Sequence, residues 1–148
     1  MEGRFSAFTY LIASLNRSIR KIKTAEVLEY DLKSPHVSCL YYVYKADKIT
    51  AKELCEACGE DKGAISRSLE HLERKGLVKT DTVEGKKYKT PIVLTEKGKD
   101  VAVQLDSKIN EALRLAGEGL GEEDRQIMYR SLQLIDNNLK QACKKYGE

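Results

Sequence analysis

The chain has 148 residues, 41% hydrophobic and 33% charged, the length of a domain that can bury a core without disulfide staples. Its 26 basic and 23 acidic residues leave a net charge of +3, too small to announce a nucleic-acid partner unless the basic residues are placed together. Composition excludes a disordered chain, and no apolar run approaches the roughly 20 residues that span a bilayer.

The first segment repeats Phe5, Phe8, Ile12, Leu15, Ile19 and Ile22 at three- and four-residue steps, which predicts a long amphipathic helix with a seam-like stripe. Glu2 comes early, the arginines follow the apolar part, and a small-residue cleavage site is lacking, so no signal peptide is expected. The basic residues Arg17, Arg20, Lys21 and Lys23 end this segment. A second helix is expected at "SPH", with Ser34 as cap and Pro35 in the first turn, carrying Val37, Leu40, Tyr41 and Tyr44. A third opens at "TAKE", where Thr50 and Glu53 have capping-box spacing, and turns Ala51, Leu54, Cys55 and Cys58 inward before Gly59.

The fourth helix is "DKGAISRSLEHLERKG", with Asp61 as cap. Ile65, Leu69 and Leu72 share one face. At roughly 100° per residue the opposite face carries Gly63, Ser66, Arg67, Glu70 and Arg74. "LVKTDTV" alternates as a strand, "EGKKYKTP" turns, and "IVLT" returns, so a β-hairpin with a basic tip at Lys86, Lys87, Tyr88 and Lys89 is expected. Thr95 is placed to cap a fifth helix through Val101, Leu105, Ile109 and Leu113, ended by Gly117, Gly119 and Gly121. A last helix from about Glu122 carries Met128, Leu132, Ile135, Leu139 and Cys143. The fold class is mainly α with a small hairpin wing: a winged helix-turn-helix with long terminal helices.

Helix, tight turn, helix and hairpin is the order that places a second helix in a DNA major groove. Arg67 can grip guanine O6 and N7, Ser66 is adaptable, and Glu70 can restrain Arg67 or Arg74 or accept from a cytosine amine. Gly63 allows close approach, and Lys62 beside free backbone N–H groups suits a phosphate. A charged outer face is also what any surface helix carries, and lysines at a hairpin tip also protect an edge. The joined helix and wing are more specific than either.

The residues "ITAKELCEACGEDKGAISRSLEHLERKGLV", a wing after them, and "VLTEKGKDVA" resemble the MarR family of winged helix-turn-helix regulators. The closing "L-x-x-K-G-L-V" and the opening "LTEKG" carry most of the likeness, and "DLKSPHVSCLYYV" sits where the family has the preceding helix. The resemblance implies one domain over residues 1–148, with the DNA-binding region at 32–98 and helical dimerisation regions at 1–31 and 99–148. It implies a cytoplasmic homodimer on double-stranded DNA with a near-palindromic operator, and a repressor relieved by a ligand. Carried over by position, Lys62, Ser66 and Arg67 read or position DNA and Lys86 to Lys89 form the wing tip. The family's wing commonly holds an Asp-x-Arg element; ungapped, those positions fall on Lys86 and Tyr88, so the wing arginine is missing and Lys87 or Lys89 is left to phosphates. The apolar stripes of the first and last helices also exceed what a small winged domain buries alone, which favours a two-fold dimer.

An effector pocket between winged domain and dimer base would draw on Tyr10, Arg17, Tyr30, His36 and Tyr41 for a small aromatic or anionic molecule; the same tyrosines equally complete a core. "CEAC" supplies two thiols where a closed zinc site needs four ligands, and buried structural cysteines are the expectation for Cys55, Cys58 and Cys39. The first helix lacks the cysteine of the family's peroxide sensors, and no cofactor or metal is assigned. Neither a Ser-His-Asp order, a Gly-rich phosphate loop nor an HExxH is present, so an enzyme is not expected. The alternative reading is a winged-helix module that uses the same surface for a protein partner, without sequence-specific DNA binding.

Overall fold

The computed structural model describes residues 3–25, 28–81 and 90–147, and in them six α-helices and one hairpin follow in the expected order. These are α1 (Arg4–Ala25), α2 (Ser34–Ala46), α3 (Ala51–Cys58), α4 (Lys62–Arg74), β1 (Val78–Thr80), β2 (Ile92–Leu94), α5 (Glu96–Ala116) and α6 (Glu122–Lys145), with a short 3-10 turn at Leu28–Tyr30. By internal contacts the chain forms two compact units, Met1–Ala112 and Leu113–Glu148.

The helix starts follow their capping chemistry. Thr50 Oγ1 accepts from the Glu53 N–H at 3.3 Å while Glu53 Oε2 accepts from the Thr50 N–H at 2.8 Å, a complete capping box for α3. Asp61 Oδ1 accepts from the Ala64 N–H at 2.8 Å and opens α4. At α2 the expectation shifts by one residue: the cap position is Lys33, and Ser34 is already helical. Pro35 bars an N–H in this first turn, and His36 Nδ1 accepts from the Lys33 N–H at 3.0 Å in place of a serine cap.

The end of α4 explains "K-G-L-V". Gly76 takes the left-handed conformation at φ 69°. Its N–H donates to the Glu73 carbonyl at 2.9 Å, and the Leu77 N–H donates to the Leu72 carbonyl at 2.9 Å. This is a Schellman stop, and its accompanying apolar pair, Leu72 and Leu77, is buried. β1 and β2 pair antiparallel with Val78 opposite Leu94 and Thr80 opposite Ile92. Ile49 adds an isolated bridge to Ile92, joining the entry to α3 to the hairpin.

The core of the first unit lies among α2, α3, α4, the hairpin and the first half of α5. Leu40, Val43, Leu54, Ile65 and Leu72 are fully enclosed, with Val101, Ala102 and Leu105 contributed by α5. On α3, Leu54 is buried and Cys55 and Cys58 are half-buried, while Ala51 faces outward, contrary to the expectation. α1 leaves Ile12, Leu15, Ile19 and Ile22 exposed, and in the second unit α6 exposes Ile127, Leu132, Leu134 and Leu139. Among the described residues no helix is long and apolar enough to cross a membrane.

Candidate nucleic-acid interface

The periodicity of α4 divides it into two faces that share no residue. Ile65, Ser68 and Leu72 are buried and Leu69 is half-buried, which fixes the helix against α2 and α3. Lys62, Gly63, Ser66, Arg67, Glu70 and Arg74 are all exposed on the other side. Lys62, Arg67 and Arg74 place three cations along that outer face. Backbone N–H groups at the helix start add a partial positive charge beside Lys62.

Gly63 has a local reason to be small. A Cβ there would lie 3.2 Å from Asp61 Oδ1 and 3.3 Å from an Arg67 guanidinium nitrogen. The Arg67 side chain therefore lies back over the first turn, as long helical side chains do, and its guanidinium sits near the capped N-terminus. The expected restraint by Glu70 is not found: among the described residues Glu70 pairs with neither Arg67 nor Arg74. Both guanidinium groups can take up a bidentate partner without first breaking a protein ion pair with Glu70.

The C-terminal end of α4 is held from two sides. Lys75 Nζ lies 2.6 Å from Asp31, a residue with φ 53° that follows the 3-10 turn. That hydrogen bond and the ammonium charge hold the Asp31 carboxyl below the usual carboxylate range. His71 Nε2 sits 3.1 Å from the Asp31 carbonyl, and its ring stacks on His36 of α2 with centroids 4.1 Å apart. From the other side, Thr95, Lys97 and Gly98 reach back to Gly76, Lys75 and Leu77. The orientation of α4 is thus set by α2 at one flank and α5 at the other. Lys86, Lys87, Tyr88 and Lys89 of the expected wing tip lie outside the described residues.

The five residues expected around an effector have separate settings. Tyr10 is 66% exposed on α1, and Arg17 is exposed on the same helix. Tyr30 donates to Gln104 Oε1, Tyr41 meets Tyr42 edge to face, and His36 carries the His71 stack. None of the five lines the cavity of about 280 Å³ that opens among α1, α2, α3 and α4. Its wall instead includes Arg20, Lys23, Ser38, Cys39, Cys58 and Ser68. Lys23 Nζ donates to Ser38 Oγ at 3.1 Å, and burial draws its pKa below the ordinary lysine value. Sequence reasoning missed this wall because α1, read as a stripe of apolar residues, gives no sign that its flanking cations turn toward α2. Ser68 was missed for a related reason: a serine at an inward helical position looks like surface until its neighbours are known. Among the described residues no three His, Cys, Asp or Glu side chains gather as a metal site.

Known proteins share this arrangement. An uncharacterized HTH-type transcriptional regulator of Bacillus subtilis (strain 168), YfiV, is 24% identical over 120 residues, covering 81% of this chain and 75% of its own. A MarR family transcriptional regulator from Listeria monocytogenes, solved in complex with 26mer DNA, superposes with a TM-score of 0.83 at 20% identity, over 88% of this chain and 87% of that one. The MepR–DNA complex of S. aureus gives 0.79 at 21% identity, over 89% and 97% of the two chains. The MarR family model matches residues 30–87, the stretch that contains α2, α3, α4 and β1. The winged unit is thus matched in sequence by the MarR family model, and its fold is shared with solved regulators of that family.

Proposed function

We propose that the protein is a sequence-specific DNA-binding transcriptional regulator that works as a homodimer in the cytoplasm, with α4 read into the major groove. The carrying observation is the outer face of α4, where Lys62, Gly63, Ser66, Arg67, Glu70 and Arg74 are exposed together while the inner face is locked into the core. Arginine and serine on an exposed helix face are suited to base edges, and Lys62 at the helix start to a phosphate. The Listeria monocytogenes and S. aureus proteins of the same fold were solved with DNA. Lys86, Lys87, Tyr88 and Lys89 complete the proposed surface as a wing on the phosphate backbone.

The homodimer is supported by the apolar residues that α1 and α6 leave uncovered. A contiguous apolar face of this kind on each of two long helices is what a second copy would cover. Two copies of α4 would then address half-sites about 34–36 Å apart on a near-palindromic operator. The residues at 32–98 serve DNA, and those at 1–31 and 99–148 serve the dimer. A small aromatic or anionic effector that relieves repression completes the proposal. Tyr10 and Arg17 are free to meet it from α1, whereas Tyr30, His36 and Tyr41 exchange their present partners to do so.

The test is binding to a duplex from the gene's own upstream region, titrated across salt against an unrelated duplex. Preference for the upstream duplex with a steep salt slope from counterion release is expected. Absence of binding to either duplex at low salt overturns the reading in favour of a protein-binding winged helix.

A further inference from the structure

His36 and His71 are the two histidines of the chain, and they meet face to face. His36 stands in the first turn of α2 and His71 in the last turn of α4. Both are half-buried, and their rings stack with centroids 4.1 Å apart and planes 12° from parallel. The hydrogen bonds around the stack fix where the protons sit. His36 Nδ1 accepts from the Lys33 N–H at 3.0 Å, so the ring is neutral, with its hydrogen on Nε2. His71 Nε2 lies 3.1 Å from the Asp31 carbonyl, which can only accept, so this nitrogen is the donor.

A positive charge on His36 has little to meet there. The charged groups that face it are Lys33 at the start of α2, His71 of α4 and Asp31 of the preceding turn. Asp31 is the acid of this set, and its carboxylate is already held by Lys75 Nζ at 2.6 Å. The first turn of α2 carries no acidic side chain, and the free N–H groups of a helix start oppose a cation. Burial, His71 and Lys33 draw the His36 pKa below its ordinary value, against Asp31. A second proton on His36 removes the acceptor of the Lys33 N–H and sets an imidazolium inside the stack.

We propose that the His36–His71 stack is an acid-operated coupling: protonation of His36 opens it, frees the C-terminal end of α4 from α2, and weakens the hold on DNA. The effect on DNA rests on the reading of α4 above; the coupling does not. The far flank stays closed, because Thr95 joins Gly76 and Leu77 to α5 by bonds that involve no titrating group. Acid therefore loosens α4 on one side while the other holds, a change of pose ahead of any unfolding. The sign of the effect is diagnostic. Added positive charge ordinarily strengthens binding to phosphates. Here the DNA-competent pose excludes a proton that the loosened pose takes up, so affinity falls with acid by up to about tenfold per pH unit.

The experiment follows the full chain by NMR of backbone amides and imidazole nitrogens from pH 7.5 to 5, with the upstream duplex titrated at each pH. In the wild type the amide signals of Lys33, His71 and Gly76 are expected to move together with the titration of His36. His36→Gln keeps an acceptor for the Lys33 N–H without a titrating proton, and its α4 signals should stay in place. His71→Gln keeps a titrating His36 but removes the stack, so α4 should no longer follow. DNA affinity should fall with acid in the wild type and hold or rise in His36→Gln. A His36 titration without response in α4, or an α4 response that persists in His36→Gln, overturns the coupling. Wild-type affinity that holds or rises in acid overturns its effect on DNA. A chain that binds neither duplex at any pH overturns the DNA step together with the reading of α4, and the NMR series then decides the coupling by itself.

Discussion

The hydroxyl of Thr95 donates to the backbone carbonyl of Gly76 at 2.6 Å, joining the stop of α4 to the start of α5. The same oxygen accepts from the Gly98 N–H at 2.9 Å, and the Thr95 N–H donates to the Leu77 carbonyl at 3.0 Å. Lys97 Nζ adds a bond to the Lys75 carbonyl at 2.9 Å. Two stretches that look independent in sequence, "KGLV" and "LTEKG", are one physical joint.

Gly98 is the part of that joint that tolerates least. A Cβ at Gly98 would lie 1.8 Å from the Leu77 carbonyl oxygen, a backbone atom just before β1 that is held by the Thr95 N–H. Gly98→Ala is expected to cost at least the ~1–3 kcal/mol typical of overpacking, whereas Thr95→Ala loses a cap at about 1 kcal/mol. Urea unfolding checks both, with Thr95→Ser retaining most of the stability. A Gly98→Ala protein as stable as the wild type would show that α5 does not approach β1 so closely.

Substitutions on the outer face of α4 should separate reading from positioning. Arg67→Ala is expected to lower specific affinity by ~1–3 kcal/mol and relax base preference, while Lys62→Ala should weaken all duplexes alike and reduce the salt slope by about 1. Fluorescence anisotropy over a salt series distinguishes them. Both should leave stability within ~0.5 kcal/mol, as exposed sites do. Unchanged affinity and salt slope in both variants would remove α4 from the interface.

The stacked imidazoles make the joint between α2 and α4 sensitive to acid. Burial lowers the His36 pKa from its ordinary value of 6.5, with His71 and Lys33 adding to the shift. Protonation would also put a hydrogen on Nδ1, which now accepts from the Lys33 N–H. Between the lowered pKa and about 6.5 the unfolded chain binds more protons, so stability rises with pH and is lost as pH falls through this window. Thermal melts from pH 7.5 to 5 should show wild type losing its advantage over His36→Gln as the pH drops. A difference that stays constant over the range would mean that His36 titrates as it does in the unfolded chain.

Charge placed in the α1 stripe should divide the dimer. Leu15 is 58% exposed in the single chain, and Ile12 and Ile19 are also exposed. Leu15→Asp would bury an unpaired carboxylate in any interface that covers this face, at a cost of several kcal/mol. Sedimentation at micromolar concentration is expected to give a dimer for wild type and a monomer for the variant, with the first unit still folded by circular dichroism. A dimeric variant would place the interface elsewhere.

The sequence made α3, α4 and the hairpin legible because their ends carry chemistry that works locally. Thr50 with Glu53, Asp61, and Gly76 before a buried Leu77 need only a few residues on either side. The outer face of α4 followed from period alone, since Ile65, Leu69 and Leu72 settle which side is inside. What could not be read depended on other elements: the path of Arg67 over Gly63, the stack of His36 on His71, and the burial of Ser68 at the cavity wall. Ser34 failed as a cap because the helix begins one residue earlier, with Lys33 at the cap position and its N–H taken by His36 Nδ1, a side chain that the neighbouring helix orients. The effector residues were chosen by type, and type says nothing about which cavity a tyrosine reaches.

The division of α4 into an enclosed and an open face has a consequence for how such a protein can change. Leu72→Ala on the inner side would be felt at ~2–5 kcal/mol, enough to endanger the fold. At Ser66, Arg67 and Glu70, all exposed, helix-compatible side chains can be exchanged with little effect on folding. The helix therefore behaves as a fixed handle carrying a replaceable key. On the proposed reading of α4, new operators are expected to be acquired, by duplication and drift or by library selection, through rewriting three or four positions while the rest of the molecule stands still.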